Sequence, residues 1–523
     1  MNNDVRPELA AVQARLSRTL DEVRVNAADK RHARGYRTAR ENLADLVDAD
    51  SFVEYGQLAV AAQRNRCDYE DLQTRTAADG VITGVGTINR DHFGKDNSRA
   101  AVVVYDYAVL AGTQGFYHHK KLDRIFELAE ECKLPMVMYT EGGGGRPGDT
   151  DVKTLIAGLN IKSFYAWARL SGLVPRIAIN NGYCFAGNAA LFGCADITIA
   201  TRTSWIGMAG PAMIEGGGLG VFKPTEIGPI DVQEKNGVVD IVAENEADAT
   251  AIAKKLLGYF QGTLEDWSCS DQISLRDMVP GNRRRAYPVR RVIEVLADVD
   301  SFIELRRAYG PGVVTGFLRL EGKPAGLIAN DCMHLSGAVD AEAAEKAARF
   351  LQLCDAFELP VISLTDTPGF MVGPDSEKQA AVRRMSSLFV TGASMSVPIV
   401  AIFLRKGYGL GAMAMTGGSF VTPVYSAAWP TGEFGGMGLE GAVRLGYKKE
   451  LEAVEDKDNR EVLFEKLVAK MYEAGKATEA AVHLEIDAVI DPADTRKVIL
   501  RALTCAPKSK SSHGKRRTFV DAW

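Results

Sequence analysis

Two glycine-containing turns carry the residues best suited to chemistry in this chain of 523 residues. The first lies within "NNGYCFAGNAALFG", residues 180–193, and the second within "RKGYGLGAMAMTGG", residues 405–418. In both, Gly-Tyr follows an apolar run, and an alanine-rich stretch suited to a helix comes next. Backbone N–H groups at a helix start lack partners and lie at the positive end of the helix dipole. Each turn could therefore hold an oxyanion, a phosphate or no ligand at all.

The second turn does not fit two of the functions that its composition suggests. It contains neither Gly-x-x-x-x-Gly-Lys-Ser/Thr nor Gly-x-Gly-x-x-Gly, and Lys406 precedes the glycines instead of following them. Biotin attachment needs a lysine between two methionines, and that position is Ala414. Oxyanion binding by backbone N–H groups remains, with a tight turn that binds nothing as the alternative.

The two turns belong to a longer internal repeat. Apolar runs that predict buried strands alternate with amphipathic stretches that predict helices, in the same order in both halves. A long chain that repeats once at such a period predicts two copies of one fold. The expected fold class is therefore α/β, with two tandem domains that arose by internal duplication. Matched positions, separated by 225, 223 and 225 residues, are Leu134 and Leu359, Val174 and Val397, and Gly182 and Gly407.

The predicted domain boundaries follow the repeat. Residues 1–265 form the expected N-terminal domain, and residues 291–523 form the expected C-terminal domain. This division agrees with the size of single hydrophobic cores, which rarely grow beyond about 250–300 residues. Residues 266–290 are polar and contain proline, glycine and consecutive arginines, so they predict a linker between the domains.

Composition narrows the function further. The net charge of −5 gives no support to nucleic-acid binding, and no apolar run reaches the length of about 20 residues that spans a membrane. The eight cysteines contain no Cys-x-x-Cys pair and predict free thiols, and the sequence predicts no metal site. The N-terminus lacks the apolar core of a signal peptide, so we expect a cytoplasmic protein.

Longer motifs carry a resemblance to a known family. The second half contains "YPVRRVI", "LTDTPGFMVG", "RKGYGLGAM" and "AAWPTGEFGGMGLEGAV", and the first half contains "DGVITGVGTINRD" and "HHKKLDRIFELAEECKLPMV". Over roughly residues 25–505 the chain resembles the carboxyltransferase (β) subunit of biotin-dependent acyl-CoA carboxylases of the propionyl-CoA and acetyl-CoA type. This resemblance implies two crotonase-like domains, each a ββα superhelix.

The resemblance also implies a mechanism and partners. Biotin, held on a separate carrier domain or subunit and not attached to this chain, would bring a carboxyl group to the enolate of an acyl-CoA. Two oxyanion holes would stabilise the negative charges. The N–H groups of Ala186 and Gly187 would face the thioester oxygen, and those of Leu410 and Gly411 would face the biotin ureido oxygen. The implied partners are a biotin carboxylase and a biotin carboxyl carrier subunit, and the implied assembly is a homo-oligomeric hexamer, a trimer of dimers.

Further residues are implied to bind substrates, and some depart from the family pattern. Ala186 stands where the family has the first glycine of its first hole. Met413 stands where members that prefer propionyl-CoA often have Asp, so we expect a different acyl group. The turn "EGGGGR" could instead be a plain loop that binds no substrate. The N-terminal arginines could instead belong to a solvated basic helix. The implied residues are Gly143, Gly144, Gly145 and Arg146 in that turn, Tyr183 and Met413 beside the holes, Asp366 in "DTPGF" beside the biotin pocket, and Arg34 and Arg37 near the CoA adenine and phosphates.

Three other functions stay open at this point. A biotin-dependent decarboxylase would use the same fold and the same holes in reverse, and the sequence does not separate the two directions. A crotonase-type hydratase or isomerase would need an acid–base carboxylate, for which Glu141 and Glu433 lie at turn positions. A non-catalytic scaffold that only binds CoA or a partner subunit would account for the altered first turn.

Overall fold

The computed structural model describes residues 6–152, 159–506 and 519–523, and the chain divides into two compact units. The first unit consists of Met1–Gly262 with Thr518–Ala522, and the second consists of Thr263–Arg517 with Trp523. Along the described ranges, no helix combines the length and the apolar character that crossing a membrane requires.

The first unit is a mixed α/β structure. Its strands are β1 (Val53–Tyr55), β2 (Val81–Thr87), β3 (Arg99–Tyr105), β4 (Met136–Tyr139), β5 (Arg176–Asn180), β6 (Tyr183–Phe185), β7 (Ile197–Thr201), β8 (Trp205–Gly207) and β9 (Ile241–Ala243). Its α-helices are α1 (Pro7–Ser17), α2 (Val25–His32), α3 (Ala39–Leu46), α4 (Tyr69–Arg75), α5 (Arg90–Asn97), α6 (Phe116–Cys132), α7 (Ser163–Arg169), α8 (Gly187–Gly193), α9 (Pro211–Gly216), α10 (Ile230–Gln233) and α11 (Glu246–Gln261).

The sheet of the first unit has the strand order β1-β2-β3-β4-β5-β7-β9. Strands β1 to β3 pair antiparallel, and all later neighbours are parallel. Strands β6 and β8 form a separate parallel pair. Helix α6 connects β3 to β4 and buries Leu122, Ile125, Phe126 and Ala129 in the core. That three-and-four spacing gives one apolar face, which explains why the segment packs as a helix.

The second unit is also a mixed α/β structure. Its strands are β10 (Ile303–Leu305), β11 (Val313–Leu320), β12 (Lys323–Asn330), β13 (Val361–Thr367), β14 (Ile399–Tyr408), β15 (Tyr425–Ala428), β16 (Glu433–Gly435) and β17 (Ala488–Val489). Its α-helices are α12 (Val289–Leu296), α13 (Ala341–Ala356), α14 (Pro374–Glu377), α15 (Ala381–Ser394), α16 (Gly409–Met415), α17 (Leu439–Gly446), α18 (Lys448–Glu452), α19 (Lys457–Ala474), α20 (Ala477–Val482) and α21 (Thr495–Cys505).

The second sheet repeats the topology of the first, with the order β10-β11-β12-β13-β14-β15-β17 and with β16 paired to β14. Strands β10 to β12 are antiparallel, and the remaining pairs are parallel. Asp340 caps the start of helix α13, because its side chain accepts from the Ala343 N–H, and the helix is buried on almost every side. The predicted α/β fold with an internal duplication is therefore confirmed.

The segment predicted as a linker, residues 266–290, lies within the second unit. It contains a short 3-10 helix, Gln272–Asp277, and its Leu275 and Tyr287 are buried in the core of that unit. The change from one unit to the other falls between Gly262 and Thr263. The segment is polar overall, but Leu275 and Tyr287 anchor it to the core of the second unit.

Candidate active site

The second glycine turn joins β14 to α16. Gly409 begins the helix with a φ of +60°, a left-handed conformation that glycine adopts without strain. Leu410 and Gly411 follow in the first helical turn, where N–H groups have no acceptor within the helix. A Cβ added to Gly411 would lie 2.5 Å from the Gly369 carbonyl carbon and 2.7 Å from the Phe370 nitrogen. The bare backbone at Gly411 therefore allows this turn to touch the turn that follows β13.

The turn after β13, within "DTPGF", supplies a further N–H group. In a parallel bridge, the Val339 N–H donates to the Gly369 carbonyl at 3.0 Å, and the Met371 N–H donates to the Val339 carbonyl at 2.9 Å. The Phe370 N–H takes no part in that bridge and donates to no described residue. Because it faces Gly411, it is a candidate oxyanion donor that sequence reasoning missed.

The first glycine turn joins β6 to α8. Ala186 has a φ of +52°, which is strained for a residue with a Cβ. Its N–H donates to the Gly207 carbonyl at 3.1 Å and so extends the pairing of β6 with β8. The prediction that the Ala186 N–H faces a thioester oxygen is corrected, because that donor is already used. The Gly187 N–H, at the first position of α8, has no acceptor within its helix.

The turn after β4, "EGGGGR", packs directly against the first glycine turn. The Gly143 N–H donates to a backbone carbonyl at 3.0 Å, and the Gly144 N–H donates to the Asn188 side-chain oxygen at 3.0 Å. Gly144 has a φ of +90°, and a Cβ added there would lie 3.7 Å from the Gly187 nitrogen. The Gly145 N–H donates to no described residue, and a Cβ on Gly145 would meet nothing within 4 Å. Gly145 and Gly187 are therefore the available donors of this site.

The two units build these sites from residues at a constant spacing. In each unit a buried acidic residue precedes the turn, a parallel bridge fixes it, and a glycine with positive φ comes just before the available N–H. Each unit thus presents N–H groups from two touching turns. The pairs separated by 225 residues are Gly112 and Gly337, Gln114 and Val339, Glu141 and Asp366, Gly144 and Gly369, and Gly145 and Phe370; Gly187 and Gly411 are 224 apart.

Comparison with known proteins identifies the family. The carboxyl transferase domain family matches residues 30–519 of the sequence. The chain belongs to the carboxyl transferase domain family. A structure described as a single-chain, multi-domain long-chain acyl-CoA carboxylase is 56% identical in sequence to this carboxyl transferase domain, with a TM-score of 0.91 over 95% of this chain. The chain spans 49% of the length of that protein.

Two further comparisons agree with this assignment. The methylmalonyl-CoA carboxyltransferase 12S subunit of Propionibacterium freudenreichii subsp. shermanii is 33% identical, over 91% of this chain and 89% of the relative. A transcarboxylase 12S crystal structure, described as a hexamer assembly with methylmalonyl-coenzyme A bound, is 29% identical, with a TM-score of 0.82 and 96% of both chains covered. The predicted carboxyltransferase identity, the crotonase-like fold and the assignment as an enzyme are confirmed.

In the carboxyl transferase domain, the acidic residue before the second turn is an internal support. Asp366 is fully buried, and its Oδ2 lies 3.0 Å from Arg405 Nη2. Its Oδ1 accepts from the Lys406 backbone N–H at 3.2 Å and lies 3.7 Å from the same residue's Nζ. The carboxylate therefore holds the end of β13 to β14. The buried Asp366 side chain is enclosed by these partners, and the predicted place of Asp366 beside the biotin pocket stays a prediction.

Glu141, the matched acid of the first unit, is also engaged. Arg31 Nη1 and Nη2 donate to its two carboxylate oxygens at 3.0 Å and 2.7 Å. Burial raises the pKa of Glu141 to about 7, although the Arg31 guanidinium acts in the opposite direction. Burial also raises the pKa of Glu433, whose Oε2 lies 3.9 Å from Arg283 Nε. Glu141 is thus held by a two-point ion pair, whereas Glu433 has only a long contact with a partly exposed arginine.

The predicted arginines differ in their availability. The Arg146 side chain is only 4% exposed, and its Nη1 lies 2.5 Å from Asp79 Oδ1. This ion pair fixes the glycine turn from inside, and the predicted contact of Arg146 with substrate stays a prediction. Arg37 pairs with Asp45 at 2.6 Å. Arg34 is exposed and forms no ion pair with any described residue, so its charge is available to a ligand.

The remaining predicted residues flank the turns. Tyr183 is half-buried, with its ring centroid 5.8 Å from that of Phe185 and 5.0 Å from that of Trp205. Met413 is half-buried and lines a cavity of about 500 Å³ beside the second turn. Phe370 could have been found from the sequence, because it lies 225 residues after Gly145 in the repeat.

Proposed function

We propose that this carboxyl transferase domain moves a carboxyl group from carboxybiotin, held on a separate carrier, to the α-carbon of an acyl-CoA. The observation that carries the proposal is the duplicated pair of touching turns, each with N–H groups available to a negative oxygen. The transfer develops negative charge on two oxygens, the thioester oxygen of the enolate and the ureido oxygen of biotin. Two sites of this kind are what such a reaction requires. The names of two relatives refer to methylmalonyl-CoA and to long-chain acyl-CoA, which supports a CoA ester as substrate.

The first unit stabilises the enolate. Gly145 and Gly187 donate their N–H groups to the thioester oxygen, and Asn188 and the Arg31–Glu141 pair hold the two turns in place. Each such donor contributes roughly 3–4 kcal/mol of transition-state stabilisation, and it is most effective when aligned before reaction. This assignment keeps Gly187 from the sequence-based hypothesis and replaces Ala186 by Gly145.

The second unit fits the biotin group. A ureido oxygen needs N–H donors, and Leu410, Gly411 and Phe370 offer them where no side chain at position 411 obstructs the approach. Bound biotin supplies the carboxyl group and a basic nitrogen. The carboxyl group leaves that nitrogen and bonds to the α-carbon, and the α-proton replaces it on the nitrogen. The products are biotin and a 2-carboxyacyl-CoA. No side-chain base is required, which agrees with the ion pairs of Glu141 and Glu433.

The proposal includes partners and an assembly. Ala414 stands where biotin attachment would need lysine, so we propose that the biotin belongs to a separate carrier domain or subunit that a biotin carboxylase loads. The 12S relative is described as a hexamer, and we propose the same assembly for this chain, with the first unit serving acyl-CoA and the second serving biotin. Sedimentation velocity of the purified chain tests the assembly, and a stable monomer would contradict it.

The function is tested in the reverse direction with biocytin as the soluble carboxyl acceptor. Methylmalonyl-CoA or malonyl-CoA should lose its carboxyl group only when biocytin is present, and the acyl-CoA product is measured by chromatography. Gly411→Ala should lower this activity by about 100- to 1,000-fold, whereas Gly446→Ala, where a Cβ meets nothing within 4 Å, should retain it. Biocytin-independent decarboxylation, or a fully active Gly411→Ala variant, would overturn the proposal.

A further inference from the structure

Gln114 touches both of the turns that present N–H groups in the first unit. Its backbone pairs with Gly145 in a parallel bridge, in which the Gln114 N–H donates to the Gly144 carbonyl at 2.8 Å and the Gln114 carbonyl accepts from the Arg146 N–H at 2.8 Å. At the far end of the side chain, Oε1 lies 2.2 Å from the position of a Cβ added to Gly187. One residue thus joins the two available donors of this site.

The carboxamide of Gln114 has one hydrogen-bond partner among the described residues. Its Nε2 donates to the Tyr105 hydroxyl at 2.9 Å, whereas its Oε1, on the side of Gly187, accepts from no described residue. The Gln114 side chain is nevertheless buried, with 4% exposure. Buried polar groups are normally hydrogen-bonded, so the half of the carboxamide that faces Gly187 is available to a ligand.

Tyr105 influences which end of the carboxamide faces that ligand. Burial raises the pKa of Tyr105, so its hydroxyl keeps its proton, and Gln114 is its one described hydrogen-bond partner. A half-turn about the Gln114 Cγ–Cδ bond exchanges the nitrogen and the oxygen, which are nearly equal in size. The Tyr105 hydroxyl then has an acceptor in Oε1, and Nε2 faces Gly187. A negative oxygen beside Gly187 favours this orientation, because it attracts Nε2–H and repels Oε1.

The matched residue of the second unit shows that the bridge alone does not need a carboxamide. Val339, 225 residues later, makes the same parallel bridge with Phe370. It is fully buried, and its side chain offers no hydrogen-bond donor. The repeat therefore supplies the backbone geometry in both units, whereas the polar side chain is present only at the first site.

We propose that Gln114 is a catalytic residue of the first unit, whose side-chain N–H donates to the thioester oxygen together with the N–H groups of Gly145 and Gly187. Tyr105 is then a positioning residue that holds the carboxamide in this orientation. The inference rests on the proposed function and adds a third donor to its first oxyanion site. Carboxamide side chains can serve in such sites. Because a side-chain end can rotate, Gln114 should contribute less than a fixed backbone N–H.

The first experiment measures kcat and KM for biocytin-dependent loss of the carboxyl group from methylmalonyl-CoA. Gln114→Leu should lower kcat about tenfold to 100-fold, with little change in KM for biocytin. Gln114→Met, which keeps the length of the side chain but has no donor, should lower kcat equally. Tyr105→Phe keeps the ring and should lower kcat about threefold to tenfold, because the carboxamide loses its hold.

Two matched controls remove the same groups elsewhere in the first unit. Gln261 donates from its carboxamide to the Ile88 carbonyl at 2.9 Å, and the Tyr139 hydroxyl lies 2.7 Å from Thr250 Oγ1. Gln261→Leu and Tyr139→Phe should therefore retain kcat. Unchanged kcat in Gln114→Leu, or full activity in Gln114→Met, would overturn the inference while the proposed function stands.

The second experiment needs no carboxyl transfer. Difference infrared spectroscopy of propionyl-CoA, labelled with carbon-13 at the thioester carbonyl, measures how strongly bound donors polarise that carbonyl. Binding should lower its stretching frequency, and the shift should be smaller in Gln114→Leu and unchanged in Gln261→Leu. That result supports the contact even if biocytin accepts no carboxyl group, which would contradict the proposed function alone. An equal shift in Gln114→Leu and in the unmodified chain would overturn the inference.

Discussion

The first and second units hold their glycine turns in place by different means. In the second unit, Gly411 presses against the backbone of Gly369 and Phe370, and an added Cβ would lie 2.5–2.7 Å from their atoms. In the first unit, an added Cβ on Gly187 would instead meet the Gln114 side-chain oxygen at 2.2 Å and the Phe164 ring at 3.1 Å. A side-chain end can move away, whereas a backbone turn cannot. The first site should therefore tolerate an added side chain at its glycine better than the second site does, although the two sites have the same topology.

The buried acids show a second difference. Asp366 is paired with Arg405 on the neighbouring strand, with Lys406 also close. Glu141 is paired with Arg31, which lies 110 residues away in the chain, on α2. The second site is thus supported from within its own sheet. The first site depends on an N-terminal helix that docks onto it, so its geometry responds to a different set of contacts.

The largest expected effect tests the difference in tolerance. Gly411→Ala should lower kcat for carboxyl transfer to biocytin by about 100- to 1,000-fold, because it displaces an oxyanion donor. Gly187→Ala should cost less, because Gln114 can turn aside. Gly446→Ala and Gly193→Ala, where a Cβ meets nothing within 4 Å, are the matched controls in the two units. If Gly411→Ala and Gly187→Ala lower kcat equally, a glycine packed against backbone is no less tolerant of a Cβ than one packed against a side chain.

The next largest effect concerns stability. Asp366→Ala leaves Arg405 buried without its carboxylate and should lower the free energy of unfolding by about 3–5 kcal/mol. Glu141→Ala should cost less, because Glu246 Oε1 remains 4.0 Å from Arg31 Nη2. Urea titration of both variants measures the difference.

Asp491→Ala is the control for this measurement. Its partner is Arg276, and both side chains are substantially exposed, so the change should cost much less than Asp366→Ala. A loss for Asp366→Ala as small as that of the control would show that the pair does not support the second turn.

The sequence predicted the repeated features better than the particular contacts. Alternating strand and helix patterns and the 225-residue spacing were enough for the α/β fold and for the duplication, because periodicity and burial are local signals. The role of Ala186 could not be read in the same way. Its N–H donates to the carbonyl of Gly207 on β8. Strand β8 pairs with β6 only after the chain has passed through β7. Arg31 and Glu141 form an ion pair across 110 residues, and no local pattern identifies such a pair.

Glu141 in the first unit should make the free energy of unfolding depend on pH. The pKa of Glu141 is raised in the folded chain to about 7 from an ordinary 4.5, so the folded state binds more protons than the unfolded state between these values. The stabilising contribution of Glu141 is therefore complete below about pH 4.5 and is lost as the pH rises through about 7. The difference in unfolding free energy between the unmodified chain and Glu141→Gln should fall by about 3 kcal/mol across this window.

Urea titrations at several pH values measure this difference. Glu131→Gln, at an exposed position on α6, is the control and should show no such trend. A difference that rises with pH would mean that Arg31 outweighs burial, and the first site would then resemble an ordinary ion pair. The sign of the slope thus decides how the two forces balance at Glu141.

The smallest expected effect distinguishes the two units by their cations. Arg34 is exposed and has no ion pair among the described residues, and Arg284, 250 residues later, is exposed in the second unit. If the first unit binds CoA, Arg34→Ala should raise KM for the acyl-CoA about threefold to tenfold with little change in kcat, because the CoA phosphates lose one exposed counter-charge. The effect should shrink at high salt. Arg284→Ala should leave KM for acyl-CoA unchanged. If Arg284→Ala raises KM for acyl-CoA and Arg34→Ala does not, the second unit binds acyl-CoA and the assignment of the two units is reversed. If neither variant changes KM, uncharged groups such as the glycine turn bind CoA.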